Sequence, residues 1–254
     1  MPDLVVIAGP NGAGKSTAAP ALIGERLGIT EFVNADVIAS GLSAHAPESV
    51  AVEAGRIMLR RLQQLANEAK NFSFETTLAS RSFAPWIAGL RRDRGYRFHL
   101  IYLWLPDASQ SVARVASRVR AGGHFVPEAI VRRRYERGLA NFFGLYSPIA
   151  DSWEMFDNSD APRLIAAREA AGPIRFGDAN LWEAIRNRMQ TREQESRYAA
   201  GDEPKLMGVP ASEMERALRQ AVKAACSRHK ALGETIVIWR DGNVVVVPPE
   251  EIEI

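Results

Sequence analysis

The sequence predicts an α/β fold: a doubly wound, mainly parallel sheet flanked by helices, of the P-loop kinase kind, with a small helix and β-hairpin appended at the C-terminal end. Three observations predict it. Apolar strand-like runs alternate with amphipathic helical stretches through residues 1–190. The run "LVVIA" at Leu4 to Ala8 leads directly into "GPNGAGKST". After a polar stretch over 191–208, residues 209–254 show one helical pattern followed by two β-branched runs.

Leu4 to Ala8 is continuously apolar, as expected of a strand buried on both faces of a parallel sheet. A helix follows from about Lys15, and Pro20 should kink it by removing an N–H and crowding the preceding turn, leaving the segment to Leu27 irregular. "EFVNAD" reads as a short second strand ending in Asp36, followed by a turn at "VIASGL". From Glu48 to Asn67, Val50, Ala54, Ile57, Met58, Leu62 and Leu65 recur mostly at helical spacing, opened by Pro47. "NFSFETTL" is a third strand, Phe83 to Arg94 a helix, and "FHLIYLWLP" a central strand by its apolarity.

Between Ser109 and Arg137 the chain turns basic, with Arg114, Arg118, Arg120, Arg132, Arg133, Arg134 and Arg137 on two helical segments. "AGGHFVP" separates them as a hinge or lid tip. "WEMFDNS" and "RLIAAREA" form a last pair of strands, and Asp178 N-caps a helix at "ANLWEAIRNRMQ". "TREQESRYAAGDEPKLMG" is polar and aperiodic, a linker. Ser212 and Glu215 then make a capping box for a helix that stops at Gly233, and Asp241-Gly242 turns a hairpin between "TIVIWR" and "NVVVV".

Composition narrows the function. The 254 residues carry a formal net charge of +2, which gives no general electrostatic reason to expect nucleic acid. A single cysteine, Cys226, excludes a disulfide framework and a cysteine-rich metal site. The N-terminal apolar run is too short for a signal or a membrane span, so a cytoplasmic protein with no membrane partner is expected.

Gly9, Gly14, Lys15 and Ser16 satisfy G-x-x-x-x-G-K-[ST] between a buried strand and a helix start, where backbone amides converge on phosphate oxygens. The expected nucleotide site is Gly9, Asn11, Gly12, Ala13, Gly14, Lys15, Ser16 and Thr17, with Lys15 on the β and γ oxygens and Ser16 on Mg2+. The N-K-x-D motif of GTPases does not occur, and neither does a transporter-type ATPase signature. ATP with magnesium as donor and a small molecule as acceptor is the leading class; the alternatives are an ATP-binding regulatory module without kinase turnover and a kinase acting on another nucleotide or polynucleotide.

Such a kinase needs a group to take the acceptor proton and cations to close over the moving phosphoryl group. Asp36, at the carboxyl edge of the sheet, is the candidate base; its alternative role is a cap for the turn after it. Glu75, Thr76, Thr77, Ser80 and Arg81 form a cluster able to hydrogen-bond an acceptor, or else a solvated loop. Arg118 and Arg120 are candidate phosphate clamps, against a plain solvated arginine face. His124 is a lid residue or a loop histidine.

"PNGAGKST", "NAD" at Asn34 to Asp36, "ETTLAS" at Glu75 to Ser80 and "RVRAGGHFVPEAIVRRRYERGLANF" at Arg118 to Phe142 make residues 1–190 resemble the zeta toxin family, in its chromosomal branch. The resemblance implies a P-loop kinase that phosphorylates a hydroxyl of a nucleotide sugar such as UDP-N-acetylglucosamine. It implies Lys15 as phosphate lysine, Ser16 as magnesium hydroxyl, Asp36 as base, Glu75 as a substrate carboxylate and Arg118 as a γ-phosphate clamp. A second arginine of the toxins falls at His124 here, so His124 or a neighbour such as Arg120 takes over that role, or turnover is weaker. Zeta toxins are restrained by antitoxins, and the segment from Met207 resembles a small protein of the sort encoded beside such kinases. The readings of 209–254 are therefore an antitoxin-like restraint in cis, a structural extension, or a joining of two genes. A nucleic-acid module using Arg216, Arg219, Lys223, Arg228 and Lys230 is opposed by the acidic end "PPEEIEI".

Overall fold

The computed structural model describes residues 1–20, 23, 28–120, 123, 125–170, 172–199, 205–206, 209–240 and 243–253. His124, part of the 191–208 stretch and the hairpin turn Asp241-Gly242 lie outside the described residues. The chain divides into two compact units, Met1–Met189 and Gln190–Ile254.

In the first unit the apolar strand β1 (Asp3–Ala8) lies between two parallel neighbours, β3 (Phe72–Thr76) and β4 (Arg97–Trp104). Its alternating side chains serve two cores. Leu4, Val6 and Ala8 join Phe72, Phe74, Leu100 and Tyr102 on one face, while Val5 and Ile7 join Ile101 and Leu103 on the other. Strand β2 (Phe32–Val33) extends the sheet beyond β3, and β5 (Ser152–Asp157) extends it in parallel beyond β4. β6 (Arg163–Glu169) and β7 (Ile174–Phe176) complete it antiparallel, in the order β2-β3-β1-β4-β5-β6-β7. The expected doubly wound, mainly parallel sheet is thus present. β7, with three residues, is too short to leave a periodic trace in the sequence.

The helices are α1 (Lys15–Ala19), α2 (Ala35–Leu42), α3 (Ala51–Asn67), α4 (Phe83–Arg94), α5 (Ala108–Arg120), α6 (Glu128–Asn141) and α7 (Ala179–Ala199). Four of these depart from or refine the expectation. The α-helical pattern of α1 gives way at Pro20 to π-helical geometry, with Pro20 itself at helical angles, and most of the segment to Leu27 lies outside the described residues. The stretch read as a strand to Asp36 leaves the sheet after Val33, and "VIASGL" is helical rather than a turn. Asn34 caps α2 by accepting from the amides of Asp36 at 2.7 Å and Val37 at 3.3 Å, so Asp36 sits in the first helical turn. A 3-10 turn at Pro47–Val50 precedes α3, which therefore opens at Ala51. α7 continues to Ala199, so the first part of the polar stretch is helix; its Glu, Gln and Arg are strong helix formers that need no apolar stripe. Its cap is the expected one, with Asp178 Oδ1 accepting from Leu181 N at 2.9 Å.

α6 lies directly on the loop after β3. A Cβ on Gly138 would stand 2.3 Å from the Thr77 carbonyl oxygen, so only glycine permits this approach. Asn141 Nδ2 donates to Leu78 O at 2.7 Å and Tyr146 Oη to Ser80 O at 2.6 Å, pinning the same loop. At its turn, buried Leu78 holds a φ of 55°, a left-handed conformation uncommon outside glycine.

The second unit contains α8 (Ala211–Leu232), a two-residue pair β8 (Lys205–Leu206) with β9 (Val209–Pro210), and the antiparallel hairpin β10 (Ile236–Arg240) with β11 (Asn243–Val247). Lys230 Nζ, near the end of α8, donates to the Ile252 carbonyl at 2.8 Å, and Ile252 is buried. The helix begins at Ala211, just before the expected cap Ser212; helix ends shift by a residue or two.

Candidate active site

The turn from Gly9 to Gly14 carries the chain from the carboxyl end of β1 into α1. Gly12 and Gly14 adopt φ of 77° and 76°, and a Cβ there would meet Arg114 Cβ and Asn158 Nδ2 respectively, each at 2.9 Å. Ala13 N donates to Pro10 O at 3.2 Å, while among the described residues no acceptor takes the amides of Gly12, Gly14, Lys15 and Ser16. This is a cradle of amides at a helix start, and it fits phosphate oxygens.

Lys15 is buried inside this turn. Its Nζ donates to Pro10 O at 3.0 Å and lies 3.6 Å from Glu75 Oε1. Burial pulls its pKa below the ordinary lysine value; the carboxylates of Glu75 and Asp36 oppose that, and the charge of Arg118 adds to it. The ammonium is thus a desolvated cation with imperfect compensation, the condition under which an anionic ligand is most favourable.

Glu75 is the hub. Register places it beside Ile7 on β1, and its Oε2 accepts from Ser16 Oγ and from Asn34 Nδ2, each at 2.7 Å. Asn34 therefore divides its amide: the oxygen caps α2 and the nitrogen holds Glu75. Among the described residues no group of three His, Cys, Asp or Glu could hold a metal alone. Ser16 Oγ and Glu75 instead offer two adjoining oxygens, a donor set suited to a hard cation completed by phosphate and water.

Asp36 is exposed in the first turn of α2, and its charge reaches both Lys15 and Arg134. Arg134, half-buried on α6, has its pKa lowered by burial, opposed by Asp36 and reinforced by Arg133. Arg118 bears electrostatically on Lys15. Arg120 and Arg81 are exposed, and among the described residues no hydrogen bond or ion pair ties either to Lys15 or Asp36. The hydroxyls of the β3 loop are engaged in its own turn: Thr76 Oγ1 accepts from Leu78 N, Thr77 Oγ1 from Ala79 N, and Ser80 Oγ from Ser82 N.

Sequence reasoning missed Asn34, Ser111, Arg114, Arg134 and Asn158 as site residues. For Arg134 a signal existed: Arg134, Gly138 and Asn141 share one helical face, and the last two fix that face to the β3 loop. For Asn158 it was "DNS" at the carboxyl end of a parallel strand.

A family model described as an AAA domain matches residues 4–144. An uncharacterized protein of Haemophilus influenzae is 28% identical over 127 residues, covering 50% of this chain and 88% of that protein. Among solved structures, the complex of AvrRxo1-ORF1 and AvrRxo1-ORF2 with sulphate ions is similar with a TM-score of 0.60 at 17% identity, over 73% of this chain and 63% of that chain. The same pair with ATP matches with a TM-score of 0.58 at 18% identity, over the same shares. The chain thus spans under two thirds of the length of these structures, and at such identity the likeness is one of fold. Among the described residues no helix is long and apolar enough to cross a membrane.

Proposed function

The chain belongs to the AAA domain family, and from that premise we propose that it is an ATP- and magnesium-dependent phosphotransferase acting on a hydroxyl of a small molecule. The observation that carries this reading is the carboxylate of Asp36, exposed in the first turn of α2, whose cap Asn34 also bonds the Glu75 carboxylate that faces Lys15 and Ser16. A nucleotide-binding turn alone needs no such group.

In this reading the amides of the turn and Lys15 hold the phosphates, and Ser16 with Glu75 holds magnesium, which when bound neutralises phosphate charge. Asp36 takes the proton from the acceptor hydroxyl, while Arg118 and Arg134 stabilise the charge that develops on the transferred group. Glu75 is better suited to the cation side than to the substrate role that the zeta toxin resemblance implies, because its carboxylate is already bonded to Ser16 and Asn34. The acceptor that the resemblance suggests is a nucleotide sugar such as UDP-N-acetylglucosamine. Incubation with ATP and a panel of nucleotide sugars, nucleotides and a 5'-hydroxyl oligonucleotide, read by mass, tests it: a gain of one phosphate on a panel member supports the reading. ATP binding without any transfer supports instead the second reading, a nucleotide-sensing module.

For the unit Gln190–Ile254 the proposal is restraint of the kinase in cis. Ending the chain near Lys205 should then raise activity, and a folded truncation with unchanged activity would overturn it.

A further inference from the structure

Three consecutive carbonyls of the P-loop are each held by a different side chain. Ser111 Oγ on α5 donates to Asn11 O. Arg114 Nη1, one helical turn on, donates to Gly12 O at 3.4 Å. Asn158 Nδ2, just past β5, donates to Ala13 O at 2.7 Å. Arg114 also binds the clamp to itself, donating to Asn158 O at 2.9 Å and to Ser159 O. Ser111 is fully buried and Asn158 nearly so.

Across a trans peptide, the carbonyl of one residue and the amide of the next point in opposite directions. Holding the carbonyls of Asn11 and Ala13 outward therefore aims the amides of Gly12 and Gly14 inward. The amide between them, that of Ala13, is used internally by Pro10 O. We propose that Ser111, Arg114 and Asn158 are positioning residues that pre-orient the P-loop amides toward phosphate, without themselves touching the nucleotide. Pre-orientation matters because a glycine-rich turn has many backbone states, and each amide that must be ordered on binding costs affinity. The same three residues fill the space beside Gly12 and Gly14, so the clamp also explains why those positions carry no side chain.

The inference rests on the proposed function only in placing a nucleotide triphosphate at the P-loop. Its test measures the affinity of the full chain for two probes, magnesium-ATP and magnesium tripolyphosphate, in Ser111→Ala, Asn158→Ala and Arg114→Lys. An orienting clamp weakens both probes by the same factor, about tenfold for the loss of one such bond. Amide resonances of Gly12 and Gly14 should shift in the unliganded variants. Loss of ATP affinity with tripolyphosphate unchanged would overturn the idea, since these side chains would then be reading the base or ribose. Unchanged affinity for both probes would overturn it as well. Ser111→Ala removes one hydroxyl and leaves the fork of Arg114 intact, so it decides the matter if Arg114→Lys fails to fold. A chain that binds both probes but transfers no phosphoryl group overturns the proposed function and leaves the clamp standing.

Discussion

The two edges of the central sheet hold similar charged residues and use them in opposite ways. At the amino edge, Arg97 grips Asp3 through two bonds of 2.8 and 2.9 Å, and Arg91 grips Asp151 through two of 2.8 and 2.6 Å. His99 lies between Asp3 and Ser152, and Phe98 N donates to Asp151. These groups satisfy one another. At the carboxyl edge, the buried Lys15 stands 3.6 Å from Glu75 in a looser pair, and the positive charge of Arg118 bears on it. Matched pairs tie strands together, whereas a buried ammonium with a looser partner favours an incoming anion.

Breaking the carboxyl edge should cost activity and little stability. Lys15→Ala is expected to have the largest effect, abolishing measurable ATP binding and lowering turnover by at least about 10³-fold, as titration calorimetry and a coupled assay would register. Asp36→Asn should lower turnover by about 10²- to 10⁴-fold while leaving ATP affinity unchanged within error. Arg134→Ala should cost about 10²-fold in turnover, whereas Arg120→Ala, exposed at the end of α5, should cost almost nothing. An equal loss in the two arginine variants would remove the distinction drawn between them.

Breaking the amino edge should do the reverse. Burial raises the pKa of Asp151, but bonds from Arg91 and Phe98 N outweigh it and leave the carboxylate below its ordinary value. A depressed carboxylate contributes stability that is present above its unfolded pKa and lost as pH falls through its folded one. Asp151→Asn should therefore lower the melting temperature by a few degrees, about 1 kcal/mol for a partly exposed pair, between pH 5 and 8. The loss should begin to shrink below about pH 4, where the aspartate of the unfolded chain takes up a proton, and vanish only below the depressed pKa of the native carboxylate, and turnover should not change. A fall in turnover in this variant would mean that the two edges are not independent.

The legible parts of the sequence were those with local signatures. β1, β3 and β4 announce themselves by apolar runs, and the P-loop by spacing that only a strand-turn-helix can use. Asn34 illustrates what was hidden: "NAD" reads equally as strand end or helix cap, and only the partner at Glu75, distant in sequence, reveals its second bond. Arg134 and Arg120 look alike in a basic stretch; what separates them is that Gly138 and Asn141 press α6 onto the β3 loop. Ser111, Arg114 and Asn158 act on carbonyls about a hundred residues or more away, a relation that no short-range pattern encodes.

Asn34 carries one further consequence. Its single side-chain amide ties Glu75, on the nucleotide side, to the first turn of α2, on the side of Asp36. A ligand that turned this amide in drawing Glu75 away would also alter the cap of α2. On the proposed function, nucleotide and acceptor would then be thermodynamically coupled through one residue. Whatever factor the nucleotide imposes on the affinity of the acceptor, the acceptor must impose on the nucleotide, and both factors should collapse toward unity together when Asn34 is replaced by alanine.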